Sequence, residues 1–231
     1  MTSFIDKEFG EITIRRNARA SSVRTRLGPR GQFIVSAPTH LPVIAIKQII
    51  RASRAKLREL RSHHEQALFV DHQQIGQSHH ITVVRSGMHD KPIVKLAKRD
   101  ILVHVSEDDD IADPVLQEMI KAKVIIALRN ESKAYLPRRV ETLANRHGYQ
   151  FTKLRFPHAI SRWGSCSSDR TISLNIALMK LPLELIDYVI LHELAHTLHM
   201  NHSKAFWDEL ASKDPHAKLH KSQLGLYSPI I

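Results

Sequence analysis

The feature that most constrains this chain is the stretch from Leu181 to Leu210, LPLELIDYVILHELAHTLHMNHSKAFWDEL. On an α-helix, where each residue advances about 100°, His192 and His196 fall about 40° apart and one turn above each other, so both imidazoles can face one ion. Glu193 lies beside them. Leu183, Leu185, Ile186, Val189, Ile190, Leu191, Leu194 and Leu198 surround these three on nearly every side, which predicts a helix inside a domain rather than on its skin. A buried carboxylate needs a partner. In the H-E-x-x-H arrangement that partner is a water beside a metal, from which the glutamate takes a proton as general base.

A bare H-E-x-x-H is a weak signal in a chain with 16 histidines, and the residues C-terminal to the motif strengthen it. His202 comes six residues after His196, beyond Met200-Asn201, where an asparagine can adopt the left-handed backbone that ends a helix and lets the chain turn back. His192, His196 and His202 then supply three ligands and leave a fourth tetrahedral position open, the pattern of catalytic rather than structural zinc. His199 competes for the third place, but it lies about 10 Å along the axis from His192, too far for three imidazoles of one straight helix to share an ion. Glu209 and Asp208 in the next helix are further alternatives, and a buried helix with hydrogen-bonded histidines and no metal is the plain structural reading.

The run RWGSCSSDRTISLNIALMKLPLELIDYVILHELAHTLHMNHSKAFW resembles the YgjP-like metal-dependent hydrolases, a family of zincin-type metallopeptidase domains related to the SprT and WLM groups. The resemblance is dense from about Phe151 to Trp207, with a weaker echo upstream in a β-hairpin, the segment Ala37 to Thr39 and a following helix. It implies metal ligands at His192, His196 and His202 and a general base at Glu193. The histidine spacing also equals that of metzincins, but their glycine position is His199 here, so that group is not carried over. In zincin-like enzymes a strand just ahead of the metal helix borders the cleft and offers its edge to an extended peptide, and Trp163 to Cys166 resembles it. Trp163, Gly164 and Ser165 are therefore candidate substrate contacts. Asn175, at a position that recurs in the family, either orients substrate or caps the following turn.

Taken from the start, the N-terminus MTSFIDKEFG has two acidic residues and no apolar segment, so it reads as neither a signal nor a transit peptide. No run approaches the ~18 apolar residues of a spanning helix, which predicts no membrane association. The single cysteine, Cys166, cannot form an internal disulfide, which fits a reducing cytoplasm. Without a C-x-x-C partner it reads as a packed side chain rather than a thiolate ligand.

Net charge is +11, and residues 1–66 hold 13 Lys/Arg against 5 Asp/Glu. Short strands are expected over 11–18, 22–27 and 32–37, separated by turns at 17–21 and at Gly28-Pro29-Arg30-Gly31. A helix after Pro42 places Ile46, Ile49, Ile50, Leu57 and Leu60 on a core stripe. Beside that stripe Lys47, Arg51, Arg54, Arg58 and Arg61 recur within about 80° of arc. This ridge is either a solvated face or a site for the phosphates of a nucleotide or nucleic acid. His63-His64 and His79-His80 are adjacent pairs that cannot share a face, and they read as exposed.

Strands are expected at 81–84, 93–96 and 101–105, closed by the acidic run Glu107 to Asp110. Asp113 caps a helix with Pro114 in its first turn. Pro137 is expected to end or kink it near Leu136, with a second segment continuing to His147 before Gly148. Strands at 149–156, 160–166 and 171–174 lead into the metal helix. Ser203 caps a final helix whose Phe206, Trp207 and Leu210 face inward and hold His202, while His216, His220 and Tyr227 are surface residues or oxyanion donors.

The resulting expectation is an α+β protein. Its β-rich N-terminal portion with one basic helix, residues 1–110, packs on a C-terminal zincin-like helical module with a small antiparallel sheet, residues 111–231. Function is expected to be metal-dependent hydrolysis of peptides or proteins with Zn²⁺, or alternatively Mn²⁺ or Mg²⁺. Two alternatives use the ridge: a nucleotide phosphoanhydride hydrolase, and a nucleic-acid-associated protease.

Overall fold

The computed structural model describes residues 2–18, 20–27, 33–58, 68–87 and 91–231. The expected turn at Gly28–Gly31, Arg19, Leu60, Arg61 and His63-His64 lie outside them. The fold is α+β, and contacts divide it into two compact units, residues 1–69 with 110–117 and residues 70–109 with 118–231. The chain crosses between them three times, between Phe69 and Val70, between Asp109 and Asp110, and between Gln117 and Glu118, the last inside a helix.

In the first unit a four-stranded sheet has the order β1 (Thr2–Asp6), β2 (Gly10–Arg16), β4 (Phe33–Ala37), β3 (Arg24–Leu27). β1 and β2 form an antiparallel hairpin whose turn is held by Asp6, its Oδ1 accepting the Glu8 and Phe9 amides at 2.9 and 3.2 Å. β1 escapes sequence reading because its apolar residues do not alternate: Phe4 packs on the core while the adjacent Ile5 is 85% exposed. The parallel pair β2–β4 sets Ile12 beside Phe33 and Ile14 beside Val35. Onto these α1 (Val43–Ala52) lays Ile46 and Ile50, and Leu57 in the helical residues 54–58 closes the cluster. Ile49, expected in the stripe, is instead 40% exposed.

The basic ridge is partly committed inside this unit. Arg54 bonds Asp6 at 3.0 Å and also Glu8, Arg58 bonds Glu8 at 2.5 Å, and Lys47 lies 5.0 Å over the Phe4 ring. Two guanidiniums thus clamp the β1–β2 turn, and Arg58 in particular holds the Glu8 carboxyl below its ordinary pKa.

The second unit holds a sheet of order β5 (Gln74–Ile75), β6 (His79–Arg85), β8 (Asp100–Val105), β7 (Ile93–Ala97). Alternation buries Ile81, Ile101, Val103 and Val105. Helix α2 spans Pro114–His147, its start capped by Asp113 Oδ1, which accepts the Val115 and Leu116 amides at 2.8 and 3.0 Å. The helix does not end at Pro137, one of the two outcomes expected there: it continues through the proline to His147, and Leu136 and Val140 on either side are fully buried. Gly148 ends the helix with a φ of +74°.

His79 is a second correction. Only His80 of that pair is exposed; His79 is 7% exposed and its Nδ1 meets Glu131 Oε1 at 2.5 Å. Glu131, on α2, also accepts the Gln77 amide at 2.8 Å, the Ser78 amide at 3.0 Å and the Ser78 hydroxyl at 2.8 Å. Gly76 makes room for it, since a Cβ there would stand 2.2 Å from Glu131 Oε2. From the same turn the Gln77 side chain donates to the carbonyls of Met179 and Leu181 at 2.9 and 2.8 Å.

Ahead of the predicted metal helix a three-stranded sheet runs β10 (Gly164–Cys166), β11 (Thr171–Leu174), β9 (Lys153–Arg155), with an antiparallel and a parallel pair. β11 has the expected bounds, whereas β9 and β10 are shorter than expected, with Pro157 to Trp163 between them irregular and Ala159 and Arg162 held by Asn175. A 3-10 turn over Ile176–Lys180 leads to α3 (Leu183–Ala195), α4 (Lys204–Lys213) and α5 (Ala217–Leu224). Arg139 on α2 grips Asp187 on α3 with both guanidinium arms, one at 2.6 Å. No helix among the described residues is long and apolar enough to cross a membrane.

Glu131 is the most heavily bonded buried carboxylate of this unit. Glu131→Ala should lower unfolding free energy by about 3 kcal/mol or more, because His79 and three donors lose their acceptor together. Urea unfolding followed by circular dichroism tests this, and Glu131→Gln should fall between wild type and alanine.

Candidate metal centre

α3 starts after Pro182, whose carbonyl accepts the Leu185 and Ile186 amides at 3.0 and 3.1 Å. Leu185, Ile186, Val189, Ile190, Leu191, Leu194 and Ala195 are buried, as the apolar surround predicts. Leu183 and Leu198 are 50% and 57% exposed, the first opening the helix and the second lying past its end.

The helix ends at Ala195, and the chain reverses by a different device from the one expected. His196 to Leu198 form a tight turn in which the Thr197 amide and hydroxyl both donate to Leu194 O, at 2.9 and 2.7 Å. Asn201 is not left-handed; among the described non-glycine residues positive φ occurs at His72, Lys98 and Arg170. Asn201 Oδ1 instead accepts the Ser203 amide at 3.2 Å, forming an Asx turn before α4. Ser203 holds the N-cap position of α4 with no side-chain bond to its amides.

Phe206 on α4 is fully buried, and its ring centroid lies 4.9, 4.5 and 4.8 Å from those of His192, His196 and His202. Trp207 stacks on His202 at 5.6 Å, and Lys221 lies 4.2 Å over the indole. These rings gather the three histidines: one ligand nitrogen from each falls within 4.8 Å of the others.

The group suits a cation. His202 Nε2 and His192 Nε2 are 3.0 Å apart, and two nitrogens bound to one tetrahedral ion at ~2.05 Å sit about 3.3 Å apart. Burial, reinforced by His196, His202 and Lys221, pushes the His192 pKa down to about 3, so this imidazole is neutral and its lone pair is available. His196 Nδ1 lies 2.9 Å from His199 O, a bond that assigns its proton to Nδ1 and turns Nε2 toward the others. His199 therefore contributes its backbone carbonyl. Asp208 bonds Lys204 at 2.6 Å and Glu209 accepts from the Tyr149 hydroxyl at 2.7 Å, so neither joins the cluster.

Glu193 is 5% exposed, and its Oε2 is buried without a hydrogen-bond partner. Burial pushes its pKa up to about 8, against an opposing pull from Arg162. Its side chain lies against Gly164 of β10, where a Cβ would stand 2.6 Å from Oε1 and 2.7 Å from Cγ. β10 is an edge strand of its sheet and pairs there with β11 alone.

Of the other candidates, Trp163, Gly164 and Ser165 are half-buried on or beside this edge. Asn175 is 1% exposed; its Nδ2 donates to Ala159 O and Arg162 O at 2.6 and 2.8 Å, its Oδ1 accepts the Ala177 amide at 3.1 Å, and its own amide donates to Trp163 O at 2.8 Å. Cys166 is half-buried, and burial, with Glu193 and Asp169 nearby, pushes its thiol up to about 11. His220 bonds Asp214 at 2.7 Å, while His216 and Tyr227 are exposed.

A family profile described as YgjP-like, metallopeptidase domain, matches residues 21–226. Among solved structures, the metallopeptidase zymogen of Pyrococcus abyssi abylysin is similar at 27% identity over 39% of this chain and 91% of that one, with a TM-score of 0.36. The metallopeptidase zymogen of Methanocaldococcus jannaschii jannalysin is similar at 23% identity over 39% of this chain and 96% of that one, with a TM-score of 0.33. No curated protein matches the chain.

The ligand geometry separates two neighbouring histidines. His202→Ala should weaken zinc binding by more than the ~10–100-fold typical of outer partners, whereas His199→Ala keeps the carbonyl that orients His196 and should bind one equivalent. Competition titration against a chromogenic chelator measures both, and the opposite ranking would exchange the assignments.

Proposed function

The chain belongs to the YgjP-like metallopeptidase domain family, and from that premise we propose that it is a zinc peptidase in which His192, His196 and His202 hold the ion and Glu193 moves the proton. The observation that carries this reading is the convergence of three imidazole nitrogens beside a buried carboxylate that has an unpartnered oxygen. An all-imidazole set favours zinc over Mg²⁺ or Mn²⁺, which prefer oxygen donors. When bound, zinc supplies Lewis acidity at the open fourth position, polarising the scissile carbonyl and lowering the pKa of water toward ~7.

The remaining steps belong to this chain's side chains. Glu193 accepts a proton from water as the water oxygen bonds the carbonyl carbon, and it gives that proton to the leaving nitrogen as the C–N bond breaks. A carboxyl whose burial favours the protonated form is suited to hold the proton between those transfers. The substrate is an extended peptide laid along the outer edge of β10, with Trp163, Gly164 and Ser165 beside it. Asn175 acts behind that edge: its bonds to Ala159, Arg162 and Trp163 fix the chain entering β10.

The nucleotide and nucleic-acid alternatives rest on the ridge of Lys47, Arg51, Arg54, Arg58 and Arg61. Within the described residues Arg54 and Arg58 are engaged by Asp6 and Glu8, which leaves those readings without a supporting observation.

Glu193→Gln should retain one zinc per chain while hydrolysis of a dye-quenched denatured casein falls by ~10² or more. Metal analysis and initial rates test this together. Activity within a few-fold of wild type would remove Glu193 as general base.

A further inference from the structure

Gly164 needs no unusual backbone, since its φ lies outside the left-handed region, so conformational freedom does not account for glycine here. Space does. A Cβ at this position would stand 2.6, 2.7 and 2.8 Å from Oε1, Cγ and Cδ of Glu193, three atoms of one side chain. The rest of β10 is anchored independently of that contact. Its three residues pair with Leu174, Ser173 and Ile172 of β11, and the preceding Trp163 carbonyl is held by the Asn175 amide at 2.8 Å. The strand is therefore a fixed surface, and Glu193 is the group that must conform to it. At 5% exposure, with buried neighbours Leu194 and Ala195 on its own helix, Glu193 has little room to lie elsewhere.

We propose that Gly164 is a positioning residue for Glu193: its bare Cα sets how far the carboxylate reaches from α3, so the strand that borders the peptide also aims the base. This rests on the reading of Glu193 as the base and of β10 as the peptide's edge. Adding one methyl at 164 leaves the strand's backbone donors and acceptors in place, so peptide binding is retained, and it displaces the carboxylate by roughly the size of the methyl. A misplacement of about 1 Å is enough to cost on the order of 10² in rate.

The test uses the full chain with Gly164→Ala, Glu193→Ala and the double variant, and Glu193→Gln as a control. Zinc-loaded Gly164→Ala should bind one zinc and hydrolyse dye-quenched casein with kcat reduced about 10- to 100-fold and KM within twofold of wild type. A second reading is independent of activity. In the metal-free protein, Gly164→Ala should lower the melting temperature by about 3 °C in the Glu193 background. That effect should vanish in the Glu193→Ala background, where the colliding atoms are gone.

A kcat within twofold of wild type overturns the proposal, as does a melting effect of equal size in both backgrounds, nil included. If Gly164→Ala does not fold but the double variant does, the collision with Glu193 is the cause and the proposal stands; if neither folds, it falls. An active Glu193→Gln would instead overturn the general-base reading while leaving the melting comparison to decide whether Gly164 sets the position of Glu193.

Discussion

Everything proposed for this chain depends on three imidazole nitrogens being brought within 4.8 Å of one another. One helical turn supplies the first two without effort, because i and i+4 share a face. The third must come from a chain that has reversed direction within six residues, and the burial of Phe206 drives that reversal. A fully buried phenylalanine contributes ~2–3 kcal/mol of apolar burial, and here its ring touches all three histidines. The same contacts that close the core of α3 and α4 therefore assemble the ligands. Imidazoles held this closely gain from a shared cation, so metal binding and the packing of α4 should reinforce each other.

Electrostatics divides along similar lines. The chain carries a net charge of +11, yet the positive charge at the sites described is mostly answered locally: Arg54 and Arg58 by Asp6 and Glu8, Arg139 by Asp187. Around the histidines the dominant influence is burial rather than a partner charge, and it acts with opposite consequences on the two chemistries. It lowers the basicity of His192 toward protons, which keeps the lone pair free for a metal. It raises that of Glu193, which favours the protonated form of the buried carboxyl.

Much of this was legible in the sequence because the signals are local. The i, i+4 spacing of His192 and His196, the Asp113-Pro114 start of α2 and the alternation of β8 are each written within one element. His202 was legible from spacing, but the device that delivers it was not: Asn201 suggests a left-handed stop, whereas the chain turns at 196–198 and Asn201 bonds Ser203. Pro137 misleads as a stop signal for a related reason, since local propensity favours ending the helix there, whereas α2 continues with buried residues on both sides. His79 looked exposed because its partner, Glu131, is 52 residues away. Pairings of that kind leave no periodic trace and appear only when the chain is folded.

Glu193 shows how such long-range contacts bear on function. A buried carboxylate with an oxygen lacking a partner destabilises a fold by at least ~1–3 kcal/mol, and an aliphatic residue at that position would avoid the cost. The surrounding core offsets it, through the buried leucines and isoleucines of α3 and the two-armed Arg139–Asp187 bond that ties α3 to α2. Retaining the carboxylate then requires that nothing else fill the space it occupies, and the bare Cα of Gly164 meets that requirement from a strand 29 positions earlier in sequence. The H-E-x-x-H motif is thus incomplete as a description of the site. The helix provides the groups, but their direction is set by what packs against them: the His199 carbonyl behind His196, Phe206 beneath all three rings, and an absent side chain on the edge of a neighbouring sheet.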